Sequence, residues 1–178
     1  MVTTIDVVEA IRQCIFDNWQ LHGSLSRDTM GKDAFNTGIP APSRKYPSIE
    51  IVPVDEDHKV LTAEWWKMLT LVHIHIWERP KTNQQNALAT AKNNRRYLEQ
   101  EVKRILHLKQ TTIKDIEWIY PEMAMNIDMY HAVDEDTYRK DSSRDVSRGT
   151  FYPILHTILP VRALQFHHAT MGAIAVNR

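Results

Sequence analysis

Hydrophobic and polar residues alternate most regularly in residues 65–77. Met68, Val72 and Ile76 fall on one side of an extended chain, whereas His73 and His75 fall on the other. Successive side chains of a strand point to opposite faces, so a period of two over about ten residues predicts a strand. Weaker alternation predicts further strands at 48–54, 113–120, 124–133 and 151–168.

The stretch 151–168 contains two prolines, Pro153 and Pro160. We expect either one bent strand or a pair of strands. Proline has no amide hydrogen to donate to a neighbouring strand, so both prolines are expected at a strand start, an edge or a bulge.

Two stretches instead have helical spacing. In residues 4–20 the apolar positions recur every three or four residues, which predicts an amphipathic helix with Thr4 as its N-cap. Residues 82–107 contain no glycine or proline and begin with Thr82 and Gln85 at the spacing of a capping box. The predicted apolar stripe of this longer helix comprises Leu88, Ala91, Leu98, Val102 and Ile105.

Three segments lack any such period. Residues 21–47 are interrupted by glycines and prolines, which predicts a long irregular loop. Residues 55–58 are all polar and are expected to form a turn. Residues 134–149 are highly charged, and we expect them to form a mobile arm, because they cannot bury enough apolar surface to become ordered.

The order of elements predicts an α+β fold. We expect an antiparallel or mixed sheet with the two main helices packed on one face, in a single domain spanning 1–178. The length of 178 residues suffices for one hydrophobic core.

Composition narrows the functional classes. The 22 basic residues equal the 22 acidic ones, which argues against a non-specific nucleic-acid coat. The single Cys14 allows no internal disulfide. Neither a signal sequence nor an apolar run of about 18 residues is present, so we expect a soluble protein made inside the cell, with no membrane partner.

His73 and His75 are the first candidates for chemistry, because alternate residues of a strand can share a metal ion. A third ligand would have to come from His156, His167 or His168. The alternative is that the pair lies on a half-exposed sheet face or at a subunit interface, and we predict no metal and no cofactor.

A metal-dependent nuclease is the second candidate, since clustered carboxylates can hold a divalent ion beside a lysine. The residues for it would be Glu50, Asp55, Asp57 and Lys59. The alternative is a solvated turn. Cys14 is interpreted as a half-buried side chain of the first helix rather than a nucleophile.

The second helix is unusually basic. Residues 81–109 contain seven Lys and Arg residues against two glutamates. They form either a solvated helix face or a surface for DNA or an acidic partner. The candidate partner-facing residues are Lys92, Arg95, Arg96, Lys103 and Arg104.

The arrangement as a whole resembles a known family. An N-terminal helix, a long loop, the strand PSIEIVPVD, the strand LTLVHIHIWE, a long helix and the closing strand ILPVRALQFHH are similar to the tail terminator, tail-completion and neck proteins of long-tailed bacteriophages. The resemblance covers most of the chain and lies in element order, without a catalytic motif.

This resemblance implies a structural virion protein and not an enzyme. It implies a ring, commonly hexameric, that caps the tail tube, joins it to the head connector or head-closure protein, and lets DNA pass without sequence-specific binding. Such a protein is assembled in the host cytoplasm and resides in the tail or neck. A metal-dependent nuclease and a monomeric protein-binding adaptor remain the alternatives. The expected subunit contacts are His73, His75, Trp77, Met171, Ile174 and Val176.

Overall fold

The computed structural model describes residues 6–38, 46–61, 65–80, 85–113, 116–131 and 152–168. They contain the strands β1 (Phe35–Thr37), β2 (Ser48–Val60), β3 (Trp65–Glu78), β4 (Trp118–Pro121), β5 (Met125–His131) and β6 (Tyr152–His168), and the helices α1 (Val7–Asp17), α2 (Arg27–Met30) and α3 (Gln85–Leu108). The strands form one sheet in the order β1-β2-β3-β6-β4, with β5 also pairing with β6. Only β1 and β2 are parallel.

The hydrophobic core lies between one face of the sheet and the helices α1 and α3. From Met68 onward every second residue of β3 is buried. These residues lie opposite buried residues of β6, and Ile74 and Ile76 also lie opposite buried residues of β2. The helices contribute residues such as Ile11 and Ile15 from α1 and Leu98 and Val102 from α3. The predicted α+β class, with both main helices on one face, is therefore confirmed; we call this the inner face.

Helix α1 is shorter than the predicted span 4–20. Its N-cap is Asp6, not Thr4: the Asp6 Oδ1 atom accepts hydrogen bonds from the amides of Val8 at 3.0 Å and Glu9 at 3.2 Å. Aspartate is among the strongest N-cap residues, since its carboxylate satisfies amides that have no partner inside the helix.

The interpretation of 21–47 as one irregular loop is wrong in part. The segment forms two 3₁₀ turns, the helix α2 and the parallel strand β1. Trp19 anchors it by donating a hydrogen bond to the Leu25 carbonyl at 2.8 Å and by packing edge-on against Phe35. The buried apolar residues that the structure describes in this segment, Leu25, Ala34 and Phe35, have no helical or strand period, so the sequence pattern does not reveal these elements.

The turn predicted at 55–58 is also wrong. β2 continues through these residues to Val60, with a register irregularity at Pro53, and pairs with β3 as far as Trp66. Polar side chains are tolerated there because β2 is exposed from Pro53 onward. An all-polar stretch can therefore be a strand when it lies at the border of a sheet.

The last strands agree with the prediction in part. The strand expected at 113–120 is reduced to β4, whereas β6 is a single long strand, which is one of the two predicted alternatives. The Pro160 carbonyl accepts a hydrogen bond from the Glu122 amide at 2.8 Å, between the end of β4 and the start of β5. The Pro160 nitrogen, which has no hydrogen to donate, therefore faces the gap between β4 and β5. This position is close to the predicted edge or bulge.

Several predicted features lie outside the described residues. They are the capping threonine Thr82, the charged arm 134–149 and the apolar end 169–178, which includes Met171, Ile174 and Val176.

Candidate functional site

The face of the sheet opposite α1 and α3 carries the predicted contact residues. His73, His75 and Trp77 alternate with the buried residues of β3, so they point away from the helices. We call this surface the outer face. The register places on it Glu50, Val52, Asp55, Asp57 and Lys59 of β2; Lys67, Leu69, Leu71, His73, His75 and Trp77 of β3; His156, Ile158, Pro160, Arg162, Leu164 and Phe166 of β6; Trp118 and Tyr120 of β4; and Met125 and Ile127 of β5.

Large apolar side chains dominate the middle and one border of the outer face. On the β4 and β5 side, Met125 is 50% exposed and Ile127 is 40% exposed. Trp118 and Tyr120 stack nearly parallel, with ring centroids 5.3 Å apart, and both are exposed. Soluble monomers rarely expose contiguous apolar patches of this kind, and larger ones often mark contact with a partner.

A cluster of polar aromatic side chains lies next to Ile127 on the outer face, where β5 pairs with β6 at His156. The His75 Nδ1 atom is 2.9 Å from the His156 Nε2 atom, so one of the two nitrogens must carry the shared proton. The His156 ring stacks on Trp77 with centroids 3.6 Å apart and planes 1° apart. Trp77 in turn donates its indole N–H to the Glu50 carboxylate at 2.8 Å.

Of the four residues in the nuclease hypothesis, Glu50 alone belongs to this cluster. Glu50 is 1% exposed and accepts the Trp77 hydrogen bond. Asp55, Asp57 and Lys59 are exposed farther along β2, opposite Leu71, Leu69 and Lys67. The structure therefore does not bring Glu50 together with the other candidate acids.

The three histidines do not form an evident metal centre. His73 lies beside His75, with ring centroids 6.0 Å apart, while the His75 nitrogen faces His156. Within the described residues, no group of three or more His, Cys, Asp or Glu side chains is placed to hold a metal ion.

The five basic residues of α3 are spread over both halves of the helix. Lys103 pairs with Glu99 at 2.7 Å, and Arg104 pairs with Glu101 at 2.7 Å and also donates to the Asn18 carbonyl. These two therefore contribute to intramolecular contacts. Lys92 and Arg96 are exposed on the first half of the helix, and Arg95 is half-buried beside them.

Glu101 joins α3 to the end of α1. It also accepts a hydrogen bond from the Gln20 amide at 2.6 Å. Burial alone would raise the pKa of Glu101, but the hydrogen bonds from Arg104 and Gln20, together with the Arg104 charge, lower that pKa below its usual value. The hydrogen bond to Glu101 raises the pKa of Arg104.

A cleft of about 510 Å³ opens beside the first half of α3. Glu78, at the end of β3, and Asn94 both line it.

Cys14 lies elsewhere, half-buried on α1, where desolvation raises the pKa of its thiol. A thiol with a raised pKa is a poor nucleophile, which agrees with the interpretation of Cys14 as a packing residue.

Part of the outer face has no signal in the sequence. The predicted strand at 113–120 includes Trp118 and Tyr120, but no pattern links them to the surface that carries His73 and His75. The sequence suggests His156 only as a possible metal ligand, whereas the structure stacks it on Trp77. Alternation along β6 places His156 and Ile158 on one face, yet only the register with β3 shows which face that is.

Comparison with known proteins adds no assignment. No protein-family model matches the chain, and no curated protein matches it in sequence. None of the helices in the described ranges is both long enough and apolar enough to cross a membrane.

Proposed function

We propose that this chain is a structural subunit of a long-tailed bacteriophage that forms a ring at the end of the tail tube. In this proposal the ring, of six copies, terminates the tube and joins it to the head connector or head-closure protein. DNA passes through the ring without sequence-specific contacts. The protein is assembled in the host cytoplasm and acts in the virion.

The observation that carries the proposal is the outer face. It combines exposed aromatic and aliphatic side chains with half-exposed leucines and histidines over four neighbouring strands. Aromatic residues and methionine are enriched in protein–protein interfaces, where they provide large contact areas. A subunit that is covered by neighbours in its working state would expose such a face when it is alone.

The arrangement of polar groups supports a structural role over catalysis. Glu50, Trp77, His156 and His75 contact one another in a chain of hydrogen bonds and stacked rings. Such a network orients side chains rigidly on the sheet. This favours a preformed contact surface over an acid–base or metal-dependent centre.

The proposal is tested by complementing a phage that lacks this gene with plasmid-borne variants. Met125→Lys with Ile127→Lys places two charges on the outer face at exposed positions, where the fold should tolerate them. We expect few joined particles from this variant, because charges without partners disfavour an apolar contact.

A matched control carries Leu108→Lys with Met123→Lys. Leu108 lies at the end of α3 and Met123 lies between β4 and β5; they are 66% and 87% exposed, respectively. This control should yield joined particles like the wild type. Normal particle yields from the outer-face variant would overturn the assignment of that face as the contact surface.

A further inference from the structure

The joined ends of β2 and β3 form a surface distinct from the apolar centre of the outer face. The strands pair as far as Val60 and Trp66, and the Leu61 amide donates to the Trp65 carbonyl at 2.9 Å. We call residues 53–61 and 65–67 the hairpin end. Every residue of 53–61 is exposed, so the helices cover neither face of the strand in this region.

The hairpin end combines exposed apolar side chains with three acidic residues and with two lysines, Lys59 and Lys67, which lie opposite each other. Its exposed fractions are 73% for Val60, 47% for Leu61, 46% for Trp65 and 42% for Trp66. Tryptophans with an adjacent charged rim are characteristic of contact surfaces. The adjacent residues Asp55, Glu56 and Asp57 are all exposed.

The first half of α3 offers the complementary surface. Lys92 and Arg96 are exposed there, and Tyr97, which follows at the middle of the helix, is 53% exposed. No acidic residue occurs from position 79 to position 98. This half of α3 therefore presents two cations beside an exposed aromatic ring, opposite in charge to residues 55–57.

Within one chain the two surfaces lie toward opposite ends of β3. Asn94 of α3 lines the cleft beside Glu78, at the end of β3, whereas Asp55 and Asp57 pair with Leu71 and Leu69. At about 3.3 Å per residue, roughly 25 Å of strand separates the two levels. α3 packs mainly on β3, β6 and β4, and the acidic residues lie on β2 at the other border.

We propose that the hairpin end of one copy docks on the first half of α3 of the next copy. This inference rests on the proposed ring, and it names the pair of surfaces that repeats around it. Two different surfaces on one chain make a head-to-tail contact, which is the kind that closes into a ring. Asp55 and Asp57 face Lys92 and Arg96, and the tryptophans pack near Tyr97.

Charge reversal tests the contact in the same complementation assay. One variant carries Asp55→Lys and Asp57→Lys, and another carries Lys92→Glu and Arg96→Glu. Each alone should lower the yield of joined particles by about tenfold or more, because like charges then meet in every contact of the ring. A control with Asp17→Lys and Glu117→Lys, two exposed acids elsewhere, should leave the yield unchanged.

Rescue is the decisive step. A chain that carries all four reversals restores opposite charges at every contact and should recover assembly. Coexpression of the two reversed variants should also recover it, since a ring of six can alternate them. Recovery would not follow if the reversals had merely unfolded each protein.

The outcomes separate this inference from the proposed function. Normal yields from both reversed variants, or no recovery in the four-reversal chain, would overturn the contact and leave the ring proposal standing. Normal tails and joined heads in the absence of the gene would instead overturn the ring proposal itself.

Discussion

At the scale of single residues, Glu101 connects the two main helices. It accepts hydrogen bonds from Arg104 and from the Gln20 amide, and it is 6% exposed. We expect Glu101→Gln to lower the free energy of unfolding at pH 7 by about 1–3 kcal/mol, because a charged hydrogen-bonding partner is lost. Glu99→Gln, which removes a helix-surface pair with Lys103, should cost only about 0.5 kcal/mol or less.

The same glutamate should make stability depend on pH. Its pKa is lowered in the folded state, so its contribution is complete above the pKa of an unfolded glutamate and is lost as the pH falls through the folded value. The difference between wild type and Glu101→Gln should therefore shrink below about pH 4. Denaturant unfolding from pH 7 to pH 3 measures it. A constant difference would contradict the assignment.

The histidines of the outer face give a second prediction at this scale. His75 contacts His156, and His156 stacks on Trp77, so these side chains have structural roles on the sheet. We expect protein purified without chelators or added metal to contain no stoichiometric zinc. Elemental analysis that finds close to one zinc per chain, lost in a His75→Ala/His156→Ala variant, would show that the prediction is wrong.

At the scale of elements, the N-cap of α1 gives a direct test. We expect Asp6→Ala to lower the free energy of unfolding by about 1 kcal/mol, because the Val8 and Glu9 amides lose their acceptor. Asp6→Asn should retain most of the stability, since asparagine caps nearly as well. Thermal unfolding of both variants makes the comparison. Equal losses from alanine and asparagine would contradict the capping role.

The elements that sequence predicted are those with a strong period. β3 alternates from Met68 onward, and α3 buries Leu98, Val102 and Ile105, because these parts of the two elements face the core. β1 and the end of β2 were missed for a physical reason: β1 is held by single anchors such as Phe35, and β2 after Pro53 lies at the exposed border of the sheet, where polar residues cost nothing.

The candidate site could be predicted only in part. Alternation placed His73, His75 and Trp77 on one face. The stacking of His156 on Trp77 and the burial of Glu50 depend on how β3 pairs with β6 and with β2. The register between strands that are distant in sequence is set by packing of the whole core, so local sequence patterns cannot predict this register.

At the scale of the whole molecule, the sheet has two unlike faces. The inner face is buried by α1 and α3, and the outer face presents apolar and aromatic side chains. A protein that works alone gains nothing from an exposed apolar face, whereas a ring subunit uses such a face for contact with its neighbours or with the tube.

Imaging of particles made without this chain tests the proposed ring. Electron micrographs of lysates from a phage that lacks the gene would measure tail-tube length and the fraction of tails joined to heads. We expect overlong tubes or separate heads and tails, with both defects corrected by a plasmid copy of the gene. Tails of normal length that join heads in its absence would contradict the proposal.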